Sequence, residues 1–267
     1  MDISLHQKRI ATSIALAVIP ALALIFQGWV LFAFLSLFCV FTLWEFYDMF
    51  KPVQGMGTIK CLGAAFVFLI LGAFITNEIR YPSYVLIASF WAAGALFLLR
   101  YSEDLTASFQ QAMIFLAGLI YIPLNFHFLL TFNRFECILV IGAAAISDTA
   151  AFYTGTMWGK KKIWPKISPK KSWIGSFGGL TACVIGTTAF GLTFGHAAVW
   201  QWLLLGAALN IAAQMGDFFE SALKRSLDIK DSGSILPGHG GLLDRVDSLL
   251  LVVPTYGLLC LLHPFFN

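Results

Sequence analysis

Long apolar runs alternate with short polar segments along the whole chain. A transmembrane helix needs about 20 predominantly apolar residues, and nine runs approach or reach that length. They lie near residues 10–27, 29–47, 61–77, 84–99, 112–132, 138–156, 176–196, 199–218 and 246–264. This pattern predicts an all-α integral membrane protein with about nine transmembrane helices.

The composition supports the same class of protein. Of the 267 residues, 59% are hydrophobic and 12% are charged, and the mean hydropathy is +0.81, whereas soluble domains are about 25% charged. The first run follows His6, Lys8 and Arg9, as in a signal peptide, but no small-residue cleavage site precedes the second run. We therefore expect the first run to be retained as a helix.

The positions of lysine and arginine predict the orientation, because these residues accumulate in cytoplasmic loops. With nine spans and a cytoplasmic N-terminus, 15 of the 17 lysines and arginines lie inside, and only Arg80 and Arg134 lie outside. The C-terminus then faces outward. Cations concentrated on one face favour anionic lipid headgroups or a polyanionic soluble substrate as partners, and we expect no nucleic acid.

Polar groups are divided unevenly between the two halves of the chain. Residues 1–135 form a hydrophobic N-terminal transmembrane region with few polar groups, and residues 136–267 form a second transmembrane region that carries the candidate catalytic groups. Two cytoplasmic loops, 157–175 and 219–246, are expected in the second region. The candidate site is therefore expected there.

Asp148 lies in the middle of a predicted span, in the segment ISDTAAFYTG at 146–155. An ionised carboxylate at that depth costs several kcal/mol unless it is paired, hydrated or ligated. Asp148 is either a buried acid that Ser147 and Thr149 satisfy by hydrogen bonds, or part of a functional site. The rarity of acids inside membranes favours the second interpretation.

A basic loop follows, with the sequence GKKKIWPKISPKKSWIG at 159–175. Such a loop could serve only to fix the topology. The proline-restrained segment SPKKSW favours a further role, because Ser168 and Ser172 can donate hydrogen bonds. Lys170 and Lys171 could hold phosphate oxygens as point charges.

The third polar cluster surrounds GHGGLLDRVD at 238–247. Asp217 ends the eighth predicted span and Asp244 begins the ninth, so both carboxylates should meet at the cytoplasmic membrane boundary. Magnesium is commonly bound through one or two carboxylates together with phosphate oxygens and water, and glycines let backbone amides approach an anion. Between the two aspartates lie Glu220, Ser221, Lys224, Arg225, Lys230, Asp231, Pro237, Gly238, His239, Gly240 and Gly241.

Together these groups indicate a polyphosphate site. Single members have simpler interpretations: His239 could be a turn residue, and Asp244 with Arg245 could be an interfacial ion pair. Their joint occurrence favours the site.

Several segments resemble the motifs of the phosphatidate cytidylyltransferase family, also called CDP-diacylglycerol synthases. The motif that carries most of the resemblance has four parts, S-x-x-K-R at 221–225, K-D at 230–231, P-G-H-G-G at 237–241 and D-R-x-D at 244–247. Further similarities are S-D-T at 147–149 and S-P-K-K-[ST]-W-x-G at 168–175. Two positions depart from the family pattern: Ile174 stands where a glutamate is common, and Ala150 where a glycine is common.

The resemblance implies a reaction in which CTP and phosphatidic acid give CDP-diacylglycerol and pyrophosphate, with magnesium required and a potassium ion sometimes accompanying it. It also implies an all-helical, usually dimeric membrane protein. The expected lack of a removable targeting segment, together with a site that faces CTP, indicates a bacterial inner membrane, with membrane lipids around the protein and the site on the cytoplasmic side. By motif position, Asp217 and Asp244 would bind the metal. The nucleotide and phosphate site would be lined by Asp148, Lys170, Lys171, Ser221, Lys224, Arg225, Gly238, His239, Gly240, Gly241 and Arg245.

Two other functions use similar groups. A CTP-dependent lipid or polyprenol kinase would also need metal and cations but would transfer the γ-phosphate, and the P-G-H-G-G to D-R-x-D block favours the cytidylyltransferase. A transporter would place its polar site near the bilayer midplane between repeated halves, whereas most of these charges gather at one boundary.

Overall fold

The computed structural model describes residues 14, 18–50, 56–76, 78, 80–105, 108–236 and 240–266, and the regular structure in these residues is helical. The only β-type pairings among them are two isolated bridges, Lys162 with Ser172 and Leu236 with Gly240. The α-helices are α1 Gly28–Met49, α2 Met56–Ile75, α3 Arg80–Glu103, α4 Gln110–Tyr121, α5 Pro123–Phe126, α6 Arg134–Trp158, α7 Trp173–Phe194, α8 Val199–Ser226 and α9 Leu249–Leu262. Two short 3₁₀ helices occupy His127–Leu130 and Leu243–Arg245. The predicted all-α class is confirmed.

Seven helical stretches within the described residues are long and apolar enough to cross a membrane: α1, α2, α3, Gln110–Leu130, α6, α7 and α8. The last predicted run corresponds to α9, which has 14 residues. Only part of the first predicted run is described, and residues 18–26 of it are helical. The count of nine spans therefore stays a prediction.

Large apolar side chains cover much of the outer surface. Trp29 is 77% exposed, Leu261 78% and Leu262 84%. Exposed apolar side chains of this size are unfavourable in water but suited to a lipid environment, where each helix satisfies its own backbone hydrogen bonds. The chain is accordingly a multi-pass membrane protein.

The chain divides into two compact units, and the first runs to Thr131 and also includes Asp231–Leu243. Its core is built around Tyr47 of α1, whose hydroxyl donates a hydrogen bond to the carbonyl of Phe115 in α4 at 2.9 Å. A Cβ atom at Gly118 would lie 2.6 Å from the Tyr47 ring. Gly118 therefore lets α4 approach α1 closely, as small residues do in membrane helix packing.

The second unit contains Phe132–Lys230 and Asp244–Asn267, with α6, α7 and α8 packed together. Glycines on α7 face the α6 backbone: a Cβ at Gly175 would lie 2.7 Å from the Ala151 carbonyl, and one at Gly179 would lie 2.9 Å from the Ser147 carbonyl. The resulting close helix contact places the middle of α6, including Asp148, beside the first turns of α7.

Side-chain caps explain where α6 and α7 begin. Asn133 accepts a hydrogen bond from the backbone N–H of Glu136, and Glu136 accepts one from the N–H of Asn133, which is a capping box at the start of α6. Ser172 accepts a hydrogen bond from the N–H of Gly175 at the start of α7. The basic loop ends at Ser172, so this cap also fixes the position of its last residues.

Candidate active site

A cavity of about 590 Å³ opens in the second unit between α6, the basic loop, α7 and α8. Its size is in the range of small-molecule sites. Charged side chains from three of these elements line it: Asp148 from α6, Lys162, Lys170 and Lys171 from the loop, and Asp217 from α8. Four of these five were predicted site residues, and the structure brings them to one cavity; Lys162 was not assigned a role.

The basic loop is folded back on itself by backbone hydrogen bonds. The N–H of Trp173 donates to the carbonyl of Lys161 at 3.1 Å, and the Lys162 ammonium donates to the carbonyl of Lys170 at 3.1 Å. Ser172 is buried at the base of this loop, and Gly159 leaves the space that its side chain occupies. Because Ser172 caps α7, its observed role is structural, whereas three of the loop lysines, Lys162, Lys170 and Lys171, line the cavity.

The cationic wall of the cavity coincides with the N-terminus of α7. The first N–H groups of a helix and its dipole attract anions, and Lys170 and Lys171 immediately precede this helix. The N–H groups of Trp173 and Gly175 are already bonded to Lys161 and Ser172, so the positive field at this part of the cavity comes from the lysine charges and the helix dipole. This combination suits phosphate groups.

Asp217 and Lys171 form an ion pair across the cavity wall. Both side chains are about one quarter exposed, and the Lys171 ammonium also lies 4.4 Å from the centre of the Phe218 ring. The sequence placed both residues in a site but contained no sign that they would meet. Their contact joins the basic loop to α8.

A second ion-pair network lies around Lys224. Its ammonium is 2.6 Å from the Asp244 carboxylate and also pairs with Glu220, which is one turn earlier on α8 and fully buried. Lys224 is thus held between two carboxylates, and it ties the residue directly after Leu243 to α8. Glu220 is one of the polar residues between Asp217 and Asp244, and the sequence did not predict this pairing.

Carboxylates are concentrated at the end of α8. Ser248 donates a hydrogen bond to Asp148 at 3.1 Å. Burial raises the pKa of Asp247, which precedes α9, and the negative charges of Asp217 and Glu220 raise it further. Asp247 is the last aspartate of the D-R-x-D motif, and its place in that motif could have indicated a site residue. The sequence analysis nevertheless did not include it in the predicted site. A bound cation would relieve this repulsion.

The donor chemistry fits a hard divalent cation. Within the described ranges, no group of three or more His, Cys, Asp or Glu side chains is arranged to hold a metal by itself. Magnesium does not require such a cage, because substrate phosphates and water supply its remaining ligands. Asp217 and Asp244, the two predicted ligands, both belong to this carboxylate-rich part of the second unit.

Among the described residues, seven predicted site residues do not line the cavity. Lys224 and Asp244 belong to the ion-pair network above, Gly240 and Gly241 lie in the first unit, and the other three lie elsewhere in the second unit. Ser221 is half-buried on α8. Arg225 is exposed and donates to the carbonyl of Ile229 at 3.0 Å, so it closes the C-terminal end of α8. Arg245 is exposed on the second 3₁₀ helix.

The predicted glycines lie in the first unit or outside the described residues. Gly238 and His239 fall in the gap at 237–239 and are not described. Gly240 has a φ of +83° and accepts a hydrogen bond from the N–H of Leu236, a conformation that glycine adopts at low cost. Gly241 is buried, and a Cβ there would overlap the Ser232 side chain.

Sequence reasoning missed a chain of uncharged polar groups beside the cavity. Gln214 donates to the side-chain amide oxygen of Asn210 at 2.7 Å and accepts a hydrogen bond from the Ser176 hydroxyl, and the Asn210 side chain donates to the Ser147 hydroxyl at 2.8 Å. Gln214 and Ser176 line the cavity. The sequence did contain an indication of this chain, because residues 210, 214 and 217 are separated by four and three positions and therefore share one face of α8.

Comparison with known proteins agrees with the family resemblance of the sequence motifs. The model of the cytidylyltransferase family matches residues 7–263. The chain is 39% identical over 168 residues to a phosphatidate cytidylyltransferase of Bacillus subtilis, covering 58% of this chain and 61% of the relative. It is 36% identical over 172 residues to one of Thermotoga maritima, covering 61% and 64%, and 40% identical over 157 residues to one of Staphylococcus aureus, covering 57% and 60%. The match thus spans about three fifths of the length of these curated relatives.

Proposed function

Because the chain belongs to the cytidylyltransferase family, we propose that it transfers a cytidylyl group from CTP to phosphatidic acid, giving CDP-diacylglycerol and pyrophosphate. The observation that carries this proposal is the cavity in which Lys162, Lys170 and Lys171 stand beside Asp148 and Asp217. Its cations suit a triphosphate. The names of the relatives supply the identity of the lipid substrate.

The proposed reaction needs no strong base. A phosphate monoester has its second pKa near 6, so phosphatidic acid carries an oxyanion at neutral pH. This oxygen forms a bond to the α-phosphorus of CTP while the bond between the α-phosphorus and the bridging oxygen breaks, and pyrophosphate leaves. Repulsion between two anions is then the main barrier.

The lysines lower that barrier by placing fixed positive charge where negative charge develops. Lys170 and Lys171 stand at the N-terminus of α7, whose dipole adds to the same field. Lys224 is held by Glu220 and Asp244, which keeps its position fixed without help from substrate. In this proposal the three side chains bind and orient phosphate oxygens.

Asp217 and Asp244 are proposed to hold the magnesium ion. When bound, magnesium would neutralise part of the triphosphate charge and stabilise the departing pyrophosphate. Asp148 and Asp247 add to the negative field at this position. A potassium ion is implied by family resemblance alone, and we assign no ligands to it.

The proposed setting is the bacterial inner membrane, with nine spans, a cytoplasmic N-terminus and the site facing the cytoplasm. The density of lysines in the basic loop supports this orientation. CTP would then enter from water, and the lipid would enter from the surrounding leaflet. Association into a homodimer remains a proposal that rests on the family resemblance.

An assay on purified protein in detergent tests the function. Phosphatidic acid would be incubated with CTP, UTP, ATP or GTP and magnesium, and the lipid products identified by mass. We expect CDP-diacylglycerol with CTP and its loss when a chelator removes magnesium. A lipid product carrying only an added phosphate would contradict the proposal and indicate a kinase.

A further inference from the structure

Glu45 is a buried carboxylate that the proposed mechanism does not use. It lies on α1 in the first unit and is 2% exposed. Among the described residues, Glu45 and Glu220 are the two buried carboxylates, and Glu220 is explained by its pair with Lys224. A carboxylate in an otherwise apolar helix is costly to bury unless strong hydrogen bonds compensate.

The compensating donors belong to a distant segment of the same unit. One oxygen of Glu45 accepts hydrogen bonds from the backbone N–H groups of Leu242 and Leu243, at 2.5 and 2.9 Å, across separations of 197 and 198 residues. Hydrogen bonds to a charged acceptor are about twice as strong as neutral ones. Glu45 therefore anchors two successive peptide groups.

Glycines allow this segment to close around the carboxylate. A Cβ at Gly233 would lie 2.5 Å from one Glu45 oxygen, and a Cβ at Gly241 would lie 3.0 Å from the other. Any larger residue at these positions would push the backbone away from Glu45. The glycines and the carboxylate thus form one matched contact.

The anchored peptide groups lead directly into the candidate metal site, because Asp244 follows Leu243 in the chain. We propose that Glu45 is a positioning residue, whose carboxylate fixes the backbone at Leu242 and Leu243 and so holds Asp244 ready for the metal. This inference rests on the proposed function. It gives the hydrophobic N-terminal half a part in the reaction.

The test uses the full-length protein in lipid nanodiscs and the variant Glu45→Gln, which keeps the side-chain size but removes the charge. Hydrogen exchange would be measured by mass spectrometry on peptides that cover residues 240–246. We expect exchange about tenfold faster than in the parent, since charged hydrogen bonds to these amides are weakened. Asp48→Asn, one turn further along α1 and paired with Lys60, is the matched control and should leave this exchange unchanged.

Turnover provides the second readout. Glu45→Gln should lower kcat about tenfold and raise the magnesium concentration for half-activation. KM for CTP should change less than threefold, because Asp244 is loosened whereas Lys170 and Lys171 of the basic loop stay in place. Gly233→Ala, which perturbs the same contact from the other side, should produce the same pattern if Glu45→Gln does not purify.

The two proposals fail differently. A parent protein without CTP-dependent turnover would overturn the proposed function and the positioning role with it. An active parent with parent-like exchange in Glu45→Gln would overturn the anchoring alone. Faster exchange with unchanged kcat and magnesium response would show that the anchor does not serve the reaction, and would also reject the inference.

Discussion

Removing the Lys224 ammonium should leave the buried Glu220 and the half-buried Asp244 carboxylates without their shared cation. The side chains of Lys224, Glu220 and Asp244 are only 11%, 0% and 13% exposed, so solvent screens this network weakly. Breaking a buried ion pair by removing one partner typically costs about 3–5 kcal/mol, mostly because the remaining charge is stranded. We therefore expect Lys224→Met to lower the free energy of unfolding by about 3 kcal/mol.

The origin of that cost can be tested by a double variant. If the stranded Glu220 charge is responsible, Lys224→Met with Glu220→Gln should recover a substantial part of the loss, giving a coupling of at least about 1 kcal/mol. The assay is denaturant unfolding in mixed micelles, with Arg225→Met as the control, because Arg225 is exposed and outside the network. Strictly additive losses, or a single variant within about 0.5 kcal/mol of the parent, would refute the reasoning.

Three further predictions concern the site and the topology. Asp217→Ala should remove nearly all turnover at saturating magnesium while the protein still inserts and purifies; activity within a few-fold of the parent would show that this residue is not an essential ligand. Lys171→Met should lower turnover by at least about 100-fold, because it removes a cavity cation, whereas Lys166→Met, which changes an exposed loop lysine outside the cavity lining, should retain activity; equal losses would contradict a specific role for Lys171. Single cysteines in 160–172 should react with impermeant maleimide only after the cytoplasmic face is opened, and one near Gly195 should react from outside; labelling of both from one side would overturn the topology.

The helices were predictable because a long apolar run by itself indicates a helix that is buried in lipid. The structure places long helices over seven of the nine predicted runs. The boundaries were less predictable, since they depend on caps: α6 begins at Arg134 and not near 138 because Asn133 and Glu136 form a capping box. The last predicted run was too long, because α9 begins only at Leu249.

The candidate site was predictable where its chemistry was unusual for a membrane protein. Asp148 and Asp217 stood out as charges at or within apolar sequence, and Lys171 stood out in the proline-restrained segment of the basic loop. The structure gathers the three around one cavity. Glu45 did not stand out, because its significance lies in amides 197 and 198 residues away. No local spacing encodes such a contact, and only the fold brings the two segments together.

The most direct measurement follows phosphorus from CTP into lipid. The proposed attack on the α-phosphorus predicts that CTP labelled at the α-phosphate yields labelled lipid, and that CTP labelled at the γ-phosphate yields labelled pyrophosphate. One phosphoanhydride replaces another, so added pyrophosphate and CDP-diacylglycerol should also regenerate CTP. A transporter would form neither product. Label from the γ-phosphate in the lipid, with α-label left in soluble CDP, would contradict the account and identify a kinase.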